Sequence, residues 1–318
     1  MRFANRAAAS VALVLLLAFA PVGADTLSLF HEQRYSMGTM FDVLVYHASQ
    51  GEAEQAIDRA LAEVVRLDQV LSHYKADSDL ARLQRDGARG FVSVDRSLYD
   101  VIDESLLFSR LSRGRFDVTI GPLVKAWRDG EGQRPSASAL ANAGRCVGFE
   151  KIETNAPDRI RLAADCMQLD LGGIGKGYAV DRALSVLAAH GIQHALVNAG
   201  GSSIGAFGRP PGKRDWAVSV GAGQVLPLGN ASLSTSEQSG ETLDPRTGLP
   251  AETAMTLCVV MRRGSTADAL STTLLLMSVA EGKQLLTYFP DAAVAWIDGD
   301  GRVRDTYGRM PLQPSSSR

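Results

Sequence analysis

The chain has 318 residues, a net charge of -2 and 45% apolar residues. That balance gives no basis for a nucleic-acid binder or a polybasic membrane-surface protein. Its length suits one large domain or two closely joined ones.

The first residues, "MRFANRAAASVALVLLLAFAPVGADT", combine a basic start (Arg2, Arg6), an apolar run over 11–20 and a small-residue cleavage pattern at Val22-Gly23-Ala24. This is the layout of a Sec signal peptide over residues 1–24. The apolar run is shorter than the ~20 residues that span a bilayer. No cysteine lies near the cleavage site, so a lipoprotein is not expected. The mature chain is expected to be exported and soluble, in the periplasm of a Gram-negative cell.

"YSMGTMFDVLVY" alternates around Phe41, Val43 and Val45 and predicts an early strand. Ser49 and Glu52 have capping-box spacing. The helix that follows runs to about Leu71, with Ala56, Ile57, Ala60, Leu61, Val64, Leu67 and Leu71 on one side. "LSHYKADSDLARLQ" leaves it through a polar turn. A second helix is expected over Ser97–Arg113, with Val101, Ile102, Ser105 and Leu106 inside and Gly114 as its C′ residue. "GRFDVTIGPLVKAW" carries an aspartate, a threonine and an expected Gly-Pro turn. Glu131–Gly144 reads as a loop or short helix, and 159–171 alternates like strands.

A helical period over Gly177–His190 places Val180, Ala183, Leu184 and Leu187 inside, with Gly191 as the stop. "HALVNAGGS" and "WAVSVG" read as strands, "STSEQSGETLDPRTGLP" as a long loop, and 266–280 as a buried helix. "AVAWIDGDGRVRD" reads as a closing hairpin. The unit is expected to extend over 25–310, with a loose tail at 311–318. The mixture of hairpins and helices implies an α+β fold. Of the three cysteines, Cys146 and Cys166 are nearest in sequence; a disulfide between them and buried free thiols are equally open readings. No His/Cys cluster has zinc spacing.

Three stretches carry chemistry. In "STADALSTTLLLM", Asp268 and Thr272 lie four apart and share a helix face. A carboxylate and a hydroxyl are hard oxygen ligands that suit Mg²⁺, which completes its shell with water and phosphate. The alternative is that Asp268 caps or pairs near the helix start and Thr272 bonds back to its own backbone.

"LDLGGIGKGYAVD" is not a P-loop, because Asp170 stands five before Gly175 and Gly177 follows Lys176. Nor is it a dinucleotide fingerprint, since Tyr178 occupies the third glycine position. A strand, glycines and a helix N-terminus still suit an anion, with Lys176 adding positive charge. Asp170 and Asp181 could accept from a base or ribose. The alternative is a tight turn with an exposed lysine. "LDPRTGLP" has turn chemistry, with Arg246 a candidate salt-bridge anchor.

In order, "MGTMFDVLV", "LSHYKADSDLARL", "GRFDVTIGPLVKAW", "LDLGGIGKGYAVDRA", "LVNAGGS", "LDPRTGLP" and "ADALSTTLLLM" resemble the ApbE-type FAD:protein FMN transferases over essentially the whole mature chain. The resemblance implies a compact α+β unit with an FAD cleft. It implies a Mg²⁺-dependent enzyme that attaches the FMN half of FAD to a Thr or Ser hydroxyl of an exported redox protein and releases AMP. It places Met37, Tyr74, Phe116, Asp117, Asp170 and Lys176 around FAD. The metal would be held by the Gly173 carbonyl, Asp268 and Thr272, with Asp268 and Lys176 carrying the catalysis.

The sequence departs from the family's pattern near one point. Members often carry a histidine before the "DP-TG" turn, whereas Glu241 and Thr242 stand there and no histidine follows His194. Ser202 replaces a common aspartate after "NAGG", and Gly175 a frequent alanine. These changes leave open transfer with altered acceptor handling, a flavin-binding accessory protein, and hydrolysis of FAD to FMN and AMP.

Overall fold

The computed structural model describes residues 27–130, 133–220, 224–237, 242–251 and 253–314. The signal-peptide segment, Glu241 and the last four residues of the expected tail lie outside them.

The chain opens with a hairpin of β1 (Ser28–Ser36) and β2 (Thr39–His47), so "YSMGTMFDVLVY" holds parts of two strands rather than one. Met37 and Gly38 both have positive φ (51° and 78°), the two-residue turn whose twist matches the flanking strands. Phe41, Val43 and Val45 point to one core and Leu44 and Tyr46 to another, as the alternation predicts.

Helix α1 (Gln50–Leu71) buries the expected face. Each fully buried Leu or Ile there contributes ~1.5–3 kcal/mol. The Ser49 hydroxyl accepts from the Glu52 N–H, but the Ser49 N–H donates to His47, so only half of the capping box forms. Beyond α1, the expected polar turn contains α2 (Asp79–Asp86), which Ser78 caps.

A short β3 (Val92–Ser93) precedes α3 (Arg96–Leu111). This helix ends with Arg113 and Gly114 both left-handed. The Gly114 N–H bonds Ser109 and the Arg113 N–H bonds Arg110, a Schellman closure with Gly114 one position later than expected. The Gly-Pro turn is instead the first turn of α4 (Gly121–Asp129), where Pro122 costs no hydrogen bond. Next comes α5 (Ala137–Gly144).

The hairpin β4 (Ile152–Asn155) and β5 (Arg159–Leu162) forms a small sheet with β3. Strand character ends at Leu162, except for an isolated bridge between Gln168 and Ile120, so 163–171 is mostly a connection rather than the expected strand. Helix α6 (Gly175–Ala189) starts two residues before Gly177.

The hairpin of β6 (Ala195–Ala199) and β7 (Ser203–Phe207) turns on Gly200-Gly201. Then follow β8 (Trp216–Val220), β9 (Gln224–Leu228) and β10 (Ala231–Ser236). The "DPRTG" turn joins β11 (Leu243–Asp244) to β12 (Leu249–Pro250). After β13 (Thr256–Met261), the expected single helix is two: α7 (Gly264–Leu275) and α8 (Val279–Leu286). A full capping box of Ser278 and Glu281 starts the second. The closing hairpin is β14 (Ala293–Ile297) with β15 (Val303–Tyr307). Finally β16 (Gln313–Pro314) pairs with β9, so this part of the tail is tied down rather than loose.

Eight antiparallel strands form one sheet in the order β1-β2-β6-β7-β10-β13-β14-β15. One face packs against the helices, with Phe41, Val197, Val259 and Trp296 in that core. The other face, with Leu196, Leu233 and Cys258, meets the β8–β9 ribbon. This is the expected α+β class. Cys146 and Cys166 form a disulfide, and Cys258 is a buried free thiol whose pKa burial pushes up to about 12.

Candidate active site

Helices α6 and α7 cross where Gly177 meets Gly264. A Cβ on Gly177 would stand 2.1 Å from the Gly264 carbonyl oxygen, and one on Gly264 would stand 2.6 Å from that of Gly177. No other residue fits at either position. Gly177 thus serves helix packing, a reason the sequence reading did not supply.

The crossing brings the Gly177 N–H to Asp268 Oδ2 at 2.9 Å, while Ser234 of β10 donates to Asp268 Oδ1 at 3.2 Å. Asp268 is 4% exposed. Burial raises its pKa above the ordinary carboxylate value, against the pull of Lys176, the Gly177 N–H and the serine hydroxyls nearby.

Thr272 lies one turn beyond Asp268. Gly173 sits against it: a Cβ there would stand 3.2 Å from Thr272 Oγ1 and 3.1 Å from the Phe116 ring. Among the described residues the Thr272 hydroxyl makes no hydrogen bond, whereas Thr273 beside it bonds back to the Ala269 carbonyl at 2.6 Å. The Thr272 back-bond open from sequence is therefore not made.

Lys176 occupies the first turn of α6 and makes no ion pair among the described residues. Met37, at the hairpin turn, reaches the same helix start: its Cε lies 3.7 Å from where a Gly175 Cβ would be. An alanine would fit there in ordinary contact.

The structure thus brings Met37, Phe116, Gly173, Lys176, Asp268 and Thr272 to neighbouring positions around the start of α6. The donor set at Asp268 and Thr272 is oxygen only, and Gly173 leaves backbone close to the Thr272 hydroxyl. These are residues that fit a hard divalent cation. Among the described residues there is no group of three or more His, Cys, Asp or Glu placed to hold a metal. A thiolate or imidazole site has no support there.

The other sequence-derived residues are placed differently. Asp117 is 7% exposed, and its carboxylate accepts from the Thr119 N–H and hydroxyl and from the Phe149 N–H. It ties the connection between α3 and α4 to the segment after α5. Burial raises its pKa, opposed by those three bonds.

Asp170 accepts from the Gly172 N–H at 2.8 Å, and its own N–H donates to the Val118 carbonyl. Tyr74 is 79% exposed, and its ring lies against that of His73.

Asp181, the other candidate acceptor for a base or ribose, is engaged within the protein. Its two oxygens accept from the N–H groups of Gly264 and Ser265, capping α7, which has no side-chain cap of its own. Glu104 of α3 joins this cap by accepting from Ser265, Thr266 and Arg263. Burial raises both carboxyl pKa values.

Arg246 is the expected anchor, gripping Asp244 with both Nε and Nη2. Burial works to raise the Asp244 pKa, but this grip holds it below the ordinary value. Trp127 fastens the same turn by donating to the Gly248 carbonyl at 2.7 Å. A cleft of about 890 Å³ lies between this turn and α5, bordered by Asp117, Arg113, Arg134 and Arg246. Its lining excludes Gly173, Lys176, Asp268 and Thr272, so it adjoins the cluster rather than containing it.

Sequence reasoning missed Ser203, Ser234 and Ser271 around Asp268. Only Ser271 carried a local signal, three residues after Asp268 on its own helix; the others reach it across the sheet.

The ApbE family model matches residues 37–296. A Treponema pallidum protein named FAD:protein FMN transferase is 31% identical over 309 residues, covering 86% of this chain and 85% of that protein. A Klebsiella pneumoniae protein of the same name is 26% identical over 278 residues, covering 79% of each. The crystal structure of Pseudomonas stutzeri flavinyl transferase ApbE in its apo form superposes with a TM-score of 0.78 at 27% identity. It covers 88% of this chain and 94% of that one.

Proposed function

The chain belongs to the ApbE family, and from that premise we propose that it is a FAD:protein FMN transferase acting on a Thr or Ser hydroxyl of an exported redox protein. The observation that carries this reading is the convergence at one helix start of the Gly173 backbone, Asp268, Thr272 and Lys176, which has no ion pair among the described residues.

The reaction breaks the FAD pyrophosphate. The acceptor oxygen forms a bond to the FMN-side phosphorus, the bridging P–O bond breaks, and AMP leaves with that electron pair. The hydroxyl proton passes to solvent or to a base. Lys176 places a positive charge where phosphate charge accumulates, which is the main demand in phosphoryl transfer. Met37 and Phe116 supply apolar surface beside it. A bound Mg²⁺ would supply further charge neutralisation there, held by the Gly173 carbonyl, Asp268 and Thr272. Asp170 and Tyr74 belong to the flavin-binding wall in this reading. Asp117 lines it from behind while holding the loop in shape.

We place the mature protein in the periplasm. The N-terminal pattern supports this, and so does the Cys146–Cys166 disulfide, which suits an oxidising compartment. Fractionation of the source cells should find a processed protein in the periplasmic fraction.

The deciding experiment mixes the protein with FAD, Mg²⁺ and a threonine-bearing acceptor domain. Transfer gives an acceptor heavier by one FMN, together with AMP. AMP without modified acceptor replaces transfer with hydrolysis, and bound FAD with neither product replaces it with an accessory role. The absence of histidine after His194 makes these two outcomes worth separating.

A further inference from the structure

A chain of hydroxyls runs from Asp268 to the end of β10. Ser234 Oγ lies 3.2 Å from Asp268 Oδ1, Ser271 Oγ 3.0 Å from Ser234 Oγ, and Ser236 Oγ 2.8 Å from Ser271 Oγ. Ser234 and Ser271 are fully buried.

The proton directions in this chain follow from chemistry. An ionised carboxylate only accepts, so Ser234 must donate to Asp268. Each hydroxyl has one proton, so Ser234, having given its own to Asp268, can only accept from Ser271. Ser271 also stands 3.0 Å from the Asp268 carbonyl, which competes for the same proton. Where Ser271 donates to Ser234, that bond polarises the one from Ser234 to Asp268. The Gly177 N–H holds the other carboxylate oxygen. The side chain is therefore fixed from two elements, while each oxygen keeps a further lone pair.

We propose that Ser234 and Ser271 are positioning residues that hold Asp268 oriented to receive a divalent cation. This rests on the reading of Asp268 as a metal ligand. Groups that orient a ligand from behind commonly change metal affinity by about 10- to 100-fold.

The test is titration of the full chain with Mn²⁺ alone, followed by electron paramagnetic resonance, beside thermal unfolding. Ser234→Ala should weaken Mn²⁺ about 10-fold, and Ser271→Ala should weaken it less. Ser234→Thr, which keeps the hydroxyl, should bind more tightly than Ser234→Ala. Ser109→Ala removes a buried hydroxyl that bonds only within α3. It should lower Tm by a similar amount and leave Mn²⁺ affinity unchanged. Unchanged affinity in Ser234→Ala and Ser271→Ala overturns the proposal while sparing the metal reading. An intact chain that binds no Mn²⁺ overturns both. If Ser234→Ala does not fold, Ser271→Ala decides by the same criterion, since it leaves the Ser234 contact to Asp268 in place.

Discussion

Asp117 and Asp268 are both buried aspartates whose pKa values burial raises, yet their surroundings are built for different work. Around Asp117, all three donors come from two short connecting segments, and they close a loop. The same region is fastened again by the Gly148 N–H to Thr119 Oγ1, by the Gly121 N–H to the Gln168 carbonyl, and by the disulfide. Around Asp268, the donors come from a helix and a strand far apart in sequence, and the Lys176 ammonium and Thr272 hydroxyl nearby have no partner among the described residues. A carboxylate held by donors of its own loop region keeps that region in shape. One braced from two sides, beside an ammonium and a hydroxyl without partners among the described residues, has the surroundings that the proposed metal ligand needs.

The largest effect that tests this contrast is Asp268→Ala. It should reduce FMN transfer by about 100-fold or more, read as the rate of acceptor mass gain. Retained Mg²⁺-dependent transfer would place Asp268 with Asp117 among the structural carboxylates. The disulfide comes next. Closing a loop of 20 residues should stabilise the fold by roughly 3 kcal/mol. Cys146→Ser should therefore lower Tm, and reductant should do so only in the parent protein.

Lys176→Ala should cost transfer about 10-fold or more, the worth of one hydrogen bond to a charged group. Its Tm should hardly move, because the ammonium has no partner to lose among the described residues. A large Tm loss would show that Lys176 belongs to the scaffold.

The smallest effect on transfer is expected from Asp117→Asn. It should destabilise by about 1–3 kcal/mol, because an amide cannot satisfy all three donors. Transfer by the molecules that remain folded should fall less than with Lys176→Ala. The sign of its pH dependence follows from the raised pKa. The folded state holds this proton more tightly than the unfolded chain, so Asp117's titration contributes fully below the unfolded value and that contribution is lost as pH rises through the folded one. The stability advantage of the parent over Asp117→Asn should shrink between about pH 4 and about pH 7. Denaturant midpoints at both pH values measure it, and an advantage that grows would reverse the assignment.

Much of this molecule was legible from sequence wherever the signal was local. Periodicity gave the buried face of α1, and Gly114 marked the end of α3. The Asp268/Thr272 spacing gave a shared helix face because i and i+4 are neighbours on any α-helix. The ordered motifs pointed to the ApbE family. Errors arose where local chemistry allowed two outcomes. Gly121-Pro122 begins a helix as readily as it makes a turn. A capping-box pattern at Ser49 lost its second bond to His47.

Only the tertiary structure decided what the buried polar groups do. Asp181 looked free to meet a ligand until the fold laid the uncapped start of α7 against it. Gly177 looked like phosphate chemistry until a helix crossing required it. Ser234 carried no signal, because its partner is 34 residues away and reaches it only through the packing of α7 on the sheet. Sequence fixes what each residue can donate, accept or bury. Which donor meets which acceptor is settled by packing, since a buried polar group must take the partner that the fold brings to it.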